Sequence, residues 1–380
     1  MKKILFCAST VSHINNFHIP YLKAFHDNGY EIHVAVNEKV QIKWVDQVIV
    51  LPFAKKHFSI KNIHAIIKAR KLLKQQHYDK VSTHTALAST IIRLAALLLK
   101  NRPKVYHIVH GYLFTLNSGL KKWVYLIPEK ITALVSDVVM VMNHEDYVIA
   151  QKYKLYKDKL YSIDGMGIDP SRFKCVSPAQ KREYKKHLGL CEDDFIFAYA
   201  AEFSKRKNQA LLIRAFAKFQ NKRARLILAG DGRTLSDCKA LANVLGVSDR
   251  IHFMGYVKDV PELYAACDAI VSTSLIEGLP FNILEAIGCG LPVVASDIKG
   301  HRELVEHKGN GLLFKVSDVQ ELIKCLEEIC SCNIGQRLRY GQMGKEKSRK
   351  YRLDCVFHQI FNLYMDGEQE VDKNKGSQLC

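Results

Sequence analysis

The sequence predicts two doubly wound α/β domains, on three observations. Short runs rich in β-branched residues alternate with amphipathic stretches of helical length, in two successive series. The predicted strands are apolar along their length with little polar alternation, as in parallel sheets covered on both faces. The 380 residues suit two domains of ordinary size.

In the first series the expected strands are 3–8, 31–36, 47–50, 80–83, 105–109 and 138–142. Helical patterns fall at 17–26, 60–75, 88–99 and 121–134, and 9–16 reads as a βα loop. Two glycines and a proline in 164–170 mark a hinge, which sets the domains at 1–170 and 171–353. A polar helix over 176–189 leads into the second series. Its strands are 195–200, 224–229, 251–254, 269–272 and 292–295, with helices over 209–219, 236–245, 260–266 and 281–287. An amphipathic helix at 354–366 carries Val356, Ile360, Phe361 and Tyr364 on one side, and 367–380 reads as a polar, disordered tail.

Apolar residues make up 48% and charged residues 25%, which excludes global disorder and fibrous repeats. Residues 1–180 hold 26 Lys/Arg against 12 Asp/Glu, and the remainder 30 against 26. So one-sided a charge calls for an anionic partner of the first half. An RNA or DNA partner has no recognition motif to support it. Eleven scattered cysteines, without C-x-x-C or zinc-finger spacing, read as reduced thiols in the cytoplasm. No run approaches the length of a membrane span, and the first residues read as a strand rather than a signal segment.

The most informative segment runs from Glu277 to Glu285, after an expected strand and into a helix opening near Phe281. Gly278 and Pro280 free a loop whose amides, with the N–H groups at the helix mouth, suit a phosphate. The two carboxylates lie at different depths of one site, one to meet a sugar and the other a ribose. A lone pair at this spacing is more often two unrelated helix residues; the surrounding segments change that weighting. His110 ends an expected strand where open α/β sheets bind ligands, as does His84. Thr10 and His13 follow the first strand.

These residues resemble the retaining glycosyltransferases of the sucrose-synthase-like family four, which have the GT-B fold of two Rossmann-like domains facing a deep cleft. Glu277–Glu285 matches their Glu-x7-Glu motif, and Gly300-His301-Arg302-Glu303 their Gly-x-x-Glu turn. Gly230-Asp231 and Gly255-Tyr256-Val257 match two further cleft segments. Ala201-Glu202-Phe203 with Lys207, and the His110-Gly111 step, resemble in particular enzymes of bacterial exopolysaccharide and capsule clusters. The resemblance implies a donor site for a nucleotide sugar, above all a UDP-sugar, at Gly230, Asp231, Gly255, Tyr256, Val257, Gly278, Leu279, Pro280, Phe281, Asn282 and Glu285. It implies catalytic contacts from Glu277, Lys207 and His110, the last at the donor sugar. Thr10, His13 and His84 fall on the acceptor side, which would take a lipid-diphosphate-linked saccharide. The C-terminal helix is expected to cross back onto the first domain. One departure stands out. Glu202 occupies the place of the family's usual Arg, leaving Lys207 as the matched cation and the second to Lys205, Arg206 or the helix mouth.

No Asp-x-Asp occurs, so no cofactor and no metal bridging the donor diphosphate are expected. Lys61, His64, Lys68 and Lys71 share one face of the helix over 60–75, with Ile63, Ile66, Ile67 and Leu73 expected largely opposite. With Lys121, Lys122, Trp123 and Tyr125 they suit an anionic membrane surface, placing the enzyme peripherally at the inner face. Two rival readings are a sugar-nucleotide epimerase of the same fold and a non-catalytic protein that binds an anionic surface.

Overall fold

The computed structural model describes residues 1–54, 59–97 and 99–365. The expected polar tail 367–380 lies outside the described residues. The chain divides into two compact units, one of Met1–Gly167 with the residues from Asp354 onward, the other Ile168–Leu353. Each is built on one wholly parallel sheet.

The first sheet contains β1 (Lys3–Cys7), β2 (Glu31–Val36), β3 (Gln47–Val50), β4 (Lys80–Thr83), β5 (Lys104–Val109), β6 (Val138–Val141) and β7 (Lys159–Ser162). Their spatial order is β3-β2-β1-β4-β5-β6-β7. The second contains β8 (Phe195–Ala200), β9 (Ala224–Ala229), β10 (Ile251–Gly255), β11 (Ala269–Ser272), β12 (Val293–Ser296) and β13 (Gly311–Phe314), in the order β10-β9-β8-β11-β12-β13. Central strands β4, β6, β11 and β12 are buried throughout, while edge strands β3 and β7 are partly exposed. That is the burial expected of apolar strands covered by helices on both faces. The order in which strands are added reverses between β1 and β4 in one sheet and between β8 and β11 in the other. At such switch points the loops beyond the strand ends part and leave room for a ligand.

The helix Leu353–Met365 belongs to the first unit from Asp354 on. It buries Val356, Ile360 and Tyr364, and Tyr364 meets Tyr106 at 4.8 Å and Phe25 at 5.4 Å between ring centroids. Ile168 stays with the second unit, its N–H donating to the Tyr351 carbonyl at 2.9 Å.

Two local expectations need correction. Residues 9–16 are not simply a loop: Val11–Phe17 is a helix with Val11 and Ile14 buried, followed directly by Ile19–Asp27. The break at His18 follows from Pro20, which has no N–H to continue a hydrogen-bond ladder and sits comfortably in the first turn of a new helix. The helix Ile60–Gln76 is also rotated from the expected register. Its buried residues are Asn62, Ala65, Ala69 and Leu73, whereas Ile60, Ile63 and Ile67 are 74%, 58% and 60% exposed. Asn62 explains the turn, because its Oδ1 accepts the Ala54 N–H at 2.9 Å and holds that side inward. Ile66 is half-buried, so only Leu73 of the four expected apolar residues is fully in the core.

Candidate active site

The second unit gathers its motif residues at the switch point. After β11, residues Thr273 to Pro280 form a loop that ends in the helix Phe281–Gly288. Pro280 stands at the N-cap and supplies no side-chain cap, and its carbonyl accepts from the Ile283 and Leu284 N–H groups at 3.1 Å each. Gly300 allows the loop to lie down: a Cβ there would stand 2.5 Å from the Gly278 carbonyl oxygen and 2.8 Å from that of Glu277. The Gly-x-x-Glu turn and the Glu-x7-Glu loop are therefore in backbone contact. His301 ties the same turn to both neighbouring strands, with its ring nitrogens 3.0 Å from Ser272 Oγ and 2.7 Å from the Ser296 carbonyl. Burial lowers its pKa to about 4, so it is a neutral strut.

Glu277 is the centre of the site. Lys207 Nζ lies 2.6 Å from its Oε1, and Arg206 Nη1 lies 2.8 Å from its Oε2. Burial alone would raise this carboxyl, but the Lys207 ammonium and the Arg206 guanidinium overcome it and hold the pKa at about 2. One carboxylate thus clamps two cations and leaves the group net positive, with unused donors on both. The backbone beneath is fixed as well. The Lys207 carbonyl accepts from the Tyr199 hydroxyl and from Thr273 Oγ1, each at 3.1 Å. Arg206 also donates to the Ile276 carbonyl at 3.2 Å. The second cation paired with Glu277 is Arg206. Lys205 is exposed and has no ion pair, nor does Glu202 pair with any of the three among the described residues.

Glu285 is held in the opposite state. Burial pushes its carboxyl up to about 8, although the Arg172 charge and the Tyr264 hydroxyl oppose the shift. Such a group binds a proton in the folded chain that it lacks when unfolded, so stability falls as pH rises from about 4.5 through 8. Glu285→Gln is therefore expected to raise the melting temperature little at pH 5 and clearly at pH 8.5. The gain should be on the order of a few kcal/mol. Calorimetry across that range checks the sign.

The other expected donor residues surround these two. The Gly230 N–H donates to the Gly255 carbonyl at 2.6 Å, and the Asp231 carbonyl accepts from the Phe203 N–H at 2.8 Å. These bonds bring the loops after β8, β9 and β10 together. Tyr256 is 73% exposed and Val257 partly so. Leu279 is buried, and the Asn282 Nδ2 is a buried donor with no partner among the described residues.

In the first unit, β1 and β4 lead to the expected acceptor-side residues Thr10, His13 and His84, and β5 leads to His110, the expected donor-sugar contact. Ser9 Oγ meets Thr85 Oγ1 at 2.7 Å and joins the loops after β1 and β4, while Ser12 donates to Thr10 Oγ1 at 3.2 Å. His13 and His110 lie edge to face at 4.5 Å, and His84 stands 3.7 Å from His18, a residue the sequence reading passed over. The signal was present in the sequence, as a second histidine one turn and a half beyond His13 on a helix the pattern had hidden.

Each unit carries a parallel sheet with site residues at its switch point, and the second adds a cation-clamped carboxylate at a helix mouth. Together these define a glycosyltransferase of the GT-B fold. Residues 180–347 match the family described as Glycosyl transferases group 1, and residues 3–151 that described as Glycosyl transferase 4-like. EpsD of Bacillus subtilis (strain 168), a glycosyltransferase by name, is 32% identical over 96% of this chain and 97% of its own. The UDP-Gal:alpha-D-GlcNAc-diphosphoundecaprenol alpha-1,3-galactosyltransferase of Escherichia coli is 31% identical over 71% of each chain. Anabaena HepE, solved with UDP and glucose, superimposes with a TM-score of 0.79 at 21% identity, over 96% of this chain and 100% of its own. The protein belongs to the group 1, family-four-like glycosyltransferases. The epimerase and non-catalytic readings do not carry forward.

Proposed function

We propose that the enzyme moves a sugar from a UDP-sugar to a lipid-diphosphate-linked saccharide, with retention of configuration and without Mg2+ or Mn2+. The observation that carries this reading is the Lys207–Glu277–Arg206 clamp at the mouth of the helix Phe281–Gly288. The two cations and the amides after Glu277 stabilise the departing diphosphate, which replaces a bridging metal. The incoming hydroxyl attacks the anomeric carbon from the leaving-group side as the glycosyl–phosphate bond breaks, and a phosphate oxygen takes its proton. Glu277 supports charge near that carbon, and Glu285 hydrogen-bonds the ribose. The E. coli relative's diphosphoundecaprenol substrate and the UDP held by Anabaena HepE support the choice of acceptor and donor classes. Incubation with a panel of UDP-sugars and membrane lipid extract, in buffer freed of Mg2+ and Mn2+, tests it. A glycosylated lipid with the donor's anomeric configuration is expected by mass spectrometry and NMR. An inverted product, or transfer that appears only with added Mg2+, would overturn the mechanism.

The acceptor's lipid requires the enzyme at a membrane surface. No helix of the described residues is long and apolar enough to cross a bilayer. The helix Ile60–Gln76 instead presents Ile60, Ile63 and Ile67 beside the exposed Lys61, Lys68 and Lys71. The helix Trp123–Ala133 presents Trp123, Ile127 and Ile131 at intervals of one turn, with Lys121 and Lys130 exposed beside them. The docking is expected to involve residues 55–75 and 118–127, of which 55–58 lie outside the described residues. Each lysine near an anionic surface contributes about 1 kcal/mol, and the exposed apolar side chains add burial. The chain should therefore sediment with anionic vesicles and be released by 1 M salt, where the Debye length is about 3 Å. A variant carrying Lys61→Glu, Lys68→Glu and Lys71→Glu should stay in the supernatant. Equal pelleting of both proteins, or equal binding to neutral vesicles, would refute the docking.

A further inference from the structure

His13, His18, His84 and His110 converge at the carboxyl ends of β1, β4 and β5. One ring nitrogen from each lies within 4.8 Å of all the others. The four come from three separate segments of the chain: the helix after β1 with its following break, and the loops after β4 and β5. His18 and His84 are 0% and 1% exposed. Among these rings His13 Nε2, both nitrogens of His18, His84 Nδ1 and His110 Nε2 are buried without a hydrogen-bond partner. Buried polar atoms are nearly always paired, and leaving several together unpaired is costly. No carboxylate belongs to the group. Burial, with the rings' mutual proximity, holds His18, His84 and His110 well below the usual histidine range, and burial holds His13 at about 4. Four imidazoles so placed, with no carboxylate among them, can turn one ring-nitrogen lone pair each toward a shared cation.

We propose that these four histidines bind one transition-metal dication of the zinc class. Imidazole suits Zn2+, Co2+, Ni2+ and Cu2+, whereas Mg2+ and Ca2+ prefer oxygen. Four nitrogens at about 2.0–2.1 Å from Zn2+ form a tetrahedral site, which the cluster reaches by drawing its rings together. His84 already has the outer support that metal-bound histidines use. Its Nε2 lies 2.9 Å from Ser82 Oγ, which meets the Tyr364 hydroxyl at 2.5 Å. With Nε2–H donating to Ser82, the Nδ1 lone pair faces the cluster. The C-terminal helix thereby helps to orient a ligand near the start of the chain. The site pins the loops after β1, β4 and β5 to one another. All four ligands belong to the first unit, whereas the diphosphate chemistry is proposed for residues of the second, so metal-independent transfer and a resident metal are compatible.

Cobalt binding tests the assignment without reference to transfer. The full chain, stripped with a chelator and dialysed, is titrated with Co2+ while its visible spectrum is followed. One Co2+ per chain is expected, with the intense bands of a tetrahedral site, and Zn2+ should displace it. His84→Gln and His13→Gln should each abolish those bands. Ser82→Ala should keep them but weaken binding by about 10–100-fold, as loss of outer-shell support does. Circular dichroism confirms that each variant is folded; since His13 is only partly buried, His13→Gln provides the test if His84→Gln fails to fold. The proposal is overturned if the wild type shows no tetrahedral spectrum, or if His13→Gln binds Co2+ with unchanged spectrum and affinity.

Discussion

Lys207→Ala should lower kcat/KM by about 2–4 kcal/mol, the range for removing one preorganised stabiliser of transition-state charge. The expectation rests on three features of the site. Lys207 is largely buried and its Nζ is fixed 2.6 Å from Glu277, so the charge is in place before substrate arrives. Its backbone is held by Tyr199 and Thr273, so little reorganisation accompanies the reaction. Glu202 stands where the family's usual Arg would be, and Arg206 supplies the second charge on Glu277. Arg206 is more exposed than Lys207, so Arg206→Ala should cost less. Lys205→Ala should be close to wild type, because Lys205 is exposed and has no ion pair among the described residues. Steady-state kinetics on the three variants check the ranking. Near-normal turnover of Lys207→Ala would move the phosphate contact to another cation.

How far the sequence went in this site depended on whether a feature was local. The segments from β8 to the Gly300 turn were legible because apolar strands and glycine-marked turns declare themselves within a few residues. Arg206 could not be separated from Lys205, because which side chain turns inward depends on β11 lying beside β8. The helix Ile334–Ser348 was missed for a related reason. Its glycines weaken any helical pattern, yet a Cβ at Gly341 would stand 2.2 Å from the Gly290 carbonyl oxygen. There the packing dictates the residue, against helix propensity. The exposed isoleucines of Ile60–Gln76 show the opposite failure. Periodicity identified the helix, but a single buried Asn62 decided which side faced the core. Of the four-histidine group, His13, His84 and His110 were each seen singly. What joins them is strand order: β1 is paired to β4 and β4 to β5, although long stretches of chain separate them.

Glu277→Gln should cut kcat far more than Glu285→Gln, and the two ionisation states explain why. Glu277 is a carboxylate throughout the working pH range, with a pKa near 2, and its charge holds Lys207 and Arg206 in position. Gln at this position keeps the shape but removes the charge. The two cations are then left facing each other and drift from the place where the diphosphate leaves. That loss is felt mainly in the transition state, so it appears in kcat as well as in kcat/KM. Glu285, at about 8, already carries its proton at neutral pH. Gln therefore replaces a neutral acid with a neutral amide that still accepts a hydrogen bond from a ribose hydroxyl. Its effect should fall on KM and remain small near pH 7. Above pH 8 the wild-type carboxyl ionises and the Gln variant does not, so the KM values of the two should diverge only there. Kinetics of both variants at pH 7 and pH 9 decide the matter. Equal losses of kcat at pH 7 would mean that Glu285 also carries charge in the reacting complex, and the division of roles between the two carboxylates would fail.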